Sequence, residues 1–233
     1  IMIGGEEVRR VVGARFLGVW VDEGLRWTGQ IERVRTKVGQ LLGVLGRARA
    51  VLGGAAVLSL YNGLVLPHLQ YCLMVWGDFQ EGRNLTLGGS LLRYQKRFAG
   101  LVAGLRGRYH ADPLFARFAM LKIGDLYRQQ LRVHAWRFWN GCLPVNQAAM
   151  LQRVGDVHGY GTRAAGRGIH MATRDHRSVG FRVPKEWAGM AEEIREIRNL
   201  AAFKRRSRAG FLAGYGGFVC DVAGCGVCAL PGV

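Results

Sequence analysis

Residues 53–77 read GGAAVLSLYNGLVLPHLQYCLMVWG, a stretch without a single Asp, Glu, Lys or Arg. Its length matches a membrane-spanning helix. Ser59, Asn62, His68, Gln70 and two tyrosines make insertion costly, however, and Pro67 interrupts the middle. The stretch therefore reads as a buried, kinked pair of helices, one over about 55–66 and one over 68–76, bent at Pro67. His68, inside this apolar run, reads as a hydrogen-bonded core histidine. A chain built around such a pair is mainly α.

The flanking sequence extends that pattern. Ile31, Val34, Val38, Leu41, Leu42 and Leu45 recur at helical spacing. Thr28 is placed to cap that helix, and Gly53-Gly54 to end it. Before it, Val8, Val11 and Val12 and the run Phe16–Val21 are β-rich, with a turn at Asp22-Glu23-Gly24. After the central pair comes a polar loop over 77–90, then a helix marked by Leu91, Leu92, Gln95, Phe98, Leu101 and Val102. Pro113 opens a short helix reaching Met120. A longer one over 125–140 stops at Gly141. Residues 144–182 show little periodicity and read as a long loop. A last amphipathic helix is expected over 191–212. The expected architecture is thus mainly α: a β segment over 1–27 holding an N-terminal β-hairpin, a helical bundle over 28–143 and a basic loop-rich segment over 144–190. A C-terminal helix over 191–215 and a Gly/Cys tail over 216–233 complete it. Gly43, Gly46, Gly100 and Gly104 are read as lying inside helices, each at a cost of about 0.5–1 kcal/mol relative to Ala.

Of 233 residues 49% are apolar, enough for a sizeable core. Thirty-three basic side chains face 16 acidic ones, a net charge of +17, and all but five of the basic residues are Arg. Arg forks onto phosphate and stacks on rings. The balance points to a polyanion, either nucleic acid or an anionic membrane surface. The chain opens on Ile1, which reads as a processed terminus or a piece of a longer chain, and no signal peptide is visible. Five cysteines with irregular spacing argue against a disulfide framework. The expected compartment is nuclear or cytoplasmic, not secreted.

Several chemistries find no support. The sequence has no phosphate-binding G-x-x-x-x-G-K-S/T, no dinucleotide fingerprint after a strand and no G-x-S-x-G elbow. The acidic pairs Glu6-Glu7, Asp22-Glu23 and Glu192-Glu193 lack a third ligand for two-metal chemistry. Cys220, Cys225 and Cys228 are spaced C-x4-C-x2-C in a Gly-rich tail, three of the four ligands of a zinc knuckle. The other reading is of free thiols in a frayed terminus.

Taken in order, several segments resemble one family. Arg15-Phe16-Leu17-Gly18-Val19-Trp20-Val21-Asp22, followed by Leu25 and Trp27, is similar to the strand and turn that close the palm of non-LTR (LINE-type) retrotransposon reverse transcriptases. Leu60–Cys72 and Val75-Trp76-Gly77 resemble that family's thumb helix pair, and Gln95-Lys96-Arg97 its L-Q-K-R segment, with Tyr94 in place of Leu. His158-Gly-Tyr160-Gly-Thr162-Arg163 is similar to its H-x-Y-x-T-R motif. Trp187 and the run from Arg198 to Arg206 look like the end of its reading frame. The resemblance spans roughly residues 11–215. It implies the thumb and C-terminal region that follow the palm, without the palm's Y/F-x-D-D motif, which is absent from this sequence. It further implies a non-catalytic part, whose parent polymerase carries Mg in its palm. Its partners would be an RNA template, a DNA primer, and the palm and fingers of the same polypeptide.

A thumb must hold a duplex of any sequence, so cations on phosphates should dominate over base readout. Arg33, Lys37, Arg93, Lys96 and Arg97 are the expected duplex-facing residues, with Arg163, Arg174 and Arg177 as a second grip and 61–72 as buried scaffold. No cofactor is expected in this part of the chain, apart from zinc if the three cysteines hold it. A second reading, from another class, is a basic helical protein resting on anionic membrane with the apolar run embedded. A third is a decayed element with no selected function.

Overall fold

In a computed structural model of the chain the described residues are 2–4, 6–7, 10–78, 85–157, 168–176, 178–216, 225 and 227. They are mainly helical, with antiparallel strand pairs only at the N-terminal end. Strands β1 (Met2–Ile3) and β2 (Glu6–Glu7) pair, as do β3 (Gly13–Phe16) and β4 (Val19–Asp22), whose register sets Gly13 against Asp22 and Phe16 against Val19. The β-rich run Phe16–Val21 thus folds back on itself as the second half of the expected hairpin. Leu17 (φ 45°) and Gly18 (φ 84°) make the two-residue turn, and positive φ at both positions matches the right-handed twist of a hairpin.

The turn expected after β4 is also present. The Asp22 carboxylate accepts hydrogen bonds from the backbone N–H of Gly24 (3.2 Å), Arg26 (2.9 Å) and Trp27 (2.8 Å). Burial would raise the Asp22 pKa, but these bonds outweigh it and hold the carboxyl below its ordinary value of 3.8. They also brace Leu25 and Trp27, both left-handed. Trp27 takes the capping position of α1 (Thr28–Ala48), so Thr28 lies inside the helix and its side chain caps nothing.

The central stretch departs from expectation in one instructive way. Helix α2 (Gly54–Leu60) runs through a single π turn (Tyr61–Val65) straight into α3 (Leu66–Gln70). Pro67 sits in the first turn of α3, where a missing N–H costs little. The break falls instead at Tyr71-Cys72, where Cys72 is left-handed (φ 50°), before α4 (Leu73–Trp76). The indole N–H of Trp76 closes this corner on the Tyr71 carbonyl at 2.8 Å. Val57, Tyr61, Val65, Leu69, Leu73 and Trp76 are all at most 1% exposed. These six side chains belong to the core, whereas Leu64, Tyr71 and Val75 of the same run are exposed. Among the described residues no helix is long and apolar enough to cross a membrane.

Helix α5 (Leu85–Ala103) starts within the expected loop and packs on α1 and α2. Gly100 is needed there: a Cβ would fall 1.9 Å from the Tyr109 hydroxyl, which donates to the Lys96 carbonyl at 3.1 Å. Gly104 (φ 73°) lies just past the helix rather than inside it. Gln95 joins three elements from within the core. Its amide donates to Tyr61 Oη (3.1 Å) and the Leu121 carbonyl (3.0 Å), and its oxygen accepts from the Ile123 N–H (2.7 Å). Burial pushes the Tyr61 hydroxyl up to about 12, against the opposing pull of Gln95 and the Arg208 charge.

Helices α6 (Asp112–Arg117) and α7 (Ile123–Trp139) follow as expected. The segment read as loop is partly built. It holds the short turns α8 (Val145–Ala148) and α9 (Val154–Val157) and a bridge between Arg153 and Ile169. It ends in α10 (Val179–Ala188), capped by Ser178 and packed on α7. Glu186 of α10 accepts from Arg128 (2.8 Å) and Arg132 (3.1 Å) of α7, and Arg182 pairs with Asp78 and Tyr127. The expected last helix is two: α11 (Glu192–Arg195) and α12 (Leu200–Ala213). Asn199 separates them by accepting the Ala202 N–H at 3.0 Å, as an N-cap does. One hydrophobic cluster takes side chains from β4 through α12 and also Cys225 and Val227.

Candidate nucleic-acid interface

The expected cations separate into patches, each built differently. The first lies where the β3–β4 hairpin meets α1 and α3. Trp20 of β4 is wedged so tightly that a Cβ on Gly29 would come within 2.7 Å of its ring, and one on Gly13 within 2.9 Å. Its backbone N–H is held by Gln30 at 2.9 Å. The Arg33 guanidinium stacks on that ring, 4.5 Å from the centroid. Stacking fixes the plane of an Arg and leaves its N–H edge free for a phosphate oxygen. On the far side Tyr71 donates its hydroxyl to the Leu17 carbonyl at 2.6 Å, pinning the hairpin turn.

Between these walls opens a cleft of about 330 Å³, lined among others by Arg15, Trp20, Arg33, Lys37, His68 and Tyr71. Among the described residues no acid lines it. Arg15, Arg33, Lys37 and His68 are exposed. His68 is thus no core histidine. Tyr61, Val65 and Leu69 take the buried face of the central segment, and His68 falls on its flank. Tyr71 is exposed as well, so 61–72 is only in part the buried scaffold expected.

The second patch is the outer face of α5. Arg93, Lys96 and Arg97 are exposed there. Tyr94 packs over Gly39 of α1, and the Arg97 guanidinium lies 6.0 Å from its ring centroid. Tyr109 folds back over the same face through its bond to Lys96. Its pKa is raised by burial, which outweighs the opposing charge of Arg97. At about 100° per residue, Gly39 lies roughly 120–160° around α1 from Arg33 and Lys37. The α5 cations and the α1 cations therefore do not form one continuous row.

Compared with family models, curated proteins and solved structures, the chain matches none.

Of the second grip, Arg174 is exposed ahead of α10. Arg163, with the rest of 158–163, and Arg177 lie outside the described residues, as do Cys220 and Cys228. Cys225 is buried, and its sulfur accepts the His110 N–H at 3.4 Å. It is therefore held in the core and not frayed. Among the described residues no three His, Cys, Asp or Glu side chains converge as a metal site would require.

Sequence reading missed Arg15, Trp20, His68 and Tyr71 as members of the cleft. Trp20 and Tyr71 stood in the motifs, but their role rests on glycines and a carbonyl far away in sequence. A signal for His68 was present: Tyr61, Val65 and Leu69 at four-residue spacing mark the core face and leave His68 beside it.

Proposed function

We propose that this chain holds the sugar-phosphate backbone of an RNA–DNA duplex. Its role would be that of the thumb and C-terminal region of a non-LTR retrotransposon reverse transcriptase during target-primed reverse transcription. The observation that carries this reading is the hairpin cleft. Arg15, Arg33, Lys37 and His68 converge there without an acidic neighbour in the lining, and Arg33 is preorganised on Trp20. A stacked Arg loses less side-chain freedom on meeting phosphate. Lys37, one turn beyond Arg33 on α1, extends the contact along the backbone. The α5 face, with Arg93, Lys96 and Arg97, is a second contact on the same duplex. In this reading the chain binds and positions; bond formation belongs to the palm.

Such binding is dominated by counterion release. About six phosphate contacts give a loss of roughly a thousandfold in affinity between 50 and 200 mM salt. Fluorescence anisotropy with a labelled RNA–DNA hybrid measures this. An affinity equal at both salts, or no binding at 50 mM, overturns the proposal.

A further inference from the structure

A different groove lies between α4, α7 and α12, with a volume of about 730 Å³. Met74, Val75, Leu126 and Val133 give it apolar surface. Arg137, Lys204, Arg205 and Arg208 stand among its described lining residues, which include no acid and, of ring side chains, only His134. The side chains of Arg137, Lys204 and Arg205 form no ion pair with any described residue.

The two glutamine amides here are already engaged. The Gln130 amide accepts the Met74 N–H (3.0 Å) and donates to the Gln70 carbonyl (2.8 Å). The Gln129 amide donates to the Lys204 carbonyl (3.3 Å) and accepts the Ser207 hydroxyl (2.9 Å). What the groove offers a ligand is therefore aliphatic surface and positive charge. A nucleic acid would use the charge, but among the described lining residues His134 is the one ring for a base to stack on, and the aliphatic surface would stay unused. A small anion would need converging donors, whereas these cations are spread along two helices. Lys204 and Arg208 are one turn apart on α12, about 6 Å along its axis. Carboxylates at i and i+4 of a facing helix have that same spacing.

We propose that this groove docks an acidic amphipathic helix of a protein partner, its apolar stripe on Val75 and Val133 and its carboxylates on Lys204, Arg205, Arg208 and Arg137. Helix-in-groove binding of this type takes affinity from the apolar anchors and register from the charges.

The test uses the full chain and a fluorescein-labelled 15-residue helical peptide with Leu at i, i+3, i+4 and i+7 and Glu on both flanks. The expected result is micromolar binding that weakens at least tenfold in Lys204→Gln/Arg205→Gln. The same loss is expected in Val75→Asp, a substitution at a side chain already 53% exposed. A peptide of equal composition with its Leu positions scrambled should bind at least tenfold more weakly. Circular dichroism of each variant checks that the fold is retained; if Val75→Asp unfolds, the charge variant decides alone. Equal binding of the scrambled peptide reduces the effect to bulk charge and overturns the proposal, as does wild-type binding by the charge variant. Competition by an RNA–DNA hybrid, with the charge variant weakening hybrid and peptide alike, reassigns the groove to nucleic acid and also overturns it.

Discussion

Two basic grooves meet along residues 68–72, which supply His68 and Tyr71 to one and Gln70 and Cys72 to the other. Both are free of acidic lining. They differ in what lies behind the charge. In the hairpin cleft a tryptophan seated between two glycines stiffens an arginine. In the α7–α12 groove the cations stand beside aliphatic side chains, and nothing stiffens Lys204 or Arg205. Net charge alone assigns both to the same polyanion. The backing surface separates them: a ring-supported guanidinium suits phosphate, whereas an aliphatic floor flanked by unstacked cations suits an acidic helix.

The comparison breaks most completely if the shared core between the two sites is damaged. Leu69 is fully buried in α3, so Leu69→Ala should cost about 2–5 kcal/mol, read as a lower urea midpoint. Hybrid and peptide binding should then fall together near that midpoint. A stability close to wild type would mean that α3 does not join the two grooves.

Next in size is the buried polar hub. Gln95→Leu strands the Ile123 N–H and leaves Tyr61 Oη without its donor, at about 1–3 kcal/mol. Here too both grooves should weaken only in step with global stability, which denaturation followed by both binding assays would reveal.

Trp20→Ala sharpens the contrast. It removes the ring under Arg33, and a stacked cation is worth about 0.5–2 kcal/mol. Hybrid affinity should drop several-fold to about thirtyfold, with peptide affinity unchanged. An equal loss in both assays would show that Trp20 acts on the whole fold and not on the cleft.

An effect of similar size concerns the hairpin's anchor. Asp22→Ala removes a carboxylate that accepts three backbone N–H groups, costing about 1–2 kcal/mol at neutral pH. Because the folded pKa of Asp22 lies below 3.8, its contribution is full above that value and is lost as pH falls through the folded one. Wild type and variant should therefore differ at pH 6 and converge as the pH approaches 2. A difference that persists in acid would contradict the assignment.

The helical backbone of this fold was legible where burial follows a single period. Ile31, Val38 and Leu45 of α1 are at most 1% exposed, as their spacing implies. Other features depend on partners that spacing does not reveal. The π turn at Tyr61–Val65 lets Pro67 sit at a helix start, so the bend moved to Tyr71-Cys72. Pro184 and a basic, Gly-bearing approach disguised α10, which is held on α7 by buried Val183 and Trp187 and by Glu186 meeting Arg128 and Arg132. Asn199 was a readable cap within an otherwise continuous amphipathic pattern. The cleft itself was half legible. Arg33 and Lys37 stood out as exposed charge, but the Trp20 seat required Gly13 and Gly29 to be brought together by the hairpin.

The central claim is that the hairpin cleft, and not bulk charge, grips phosphate. The most direct test is the slope of log affinity against log salt for an RNA–DNA hybrid, compared across Arg33→Ala/Lys37→Ala, Lys204→Ala/Arg205→Ala and wild type. Each lost phosphate contact lowers the slope by nearly one. The account predicts a slope lower by about two for the first pair and unchanged for the second. Equal slopes for the two pairs would contradict it.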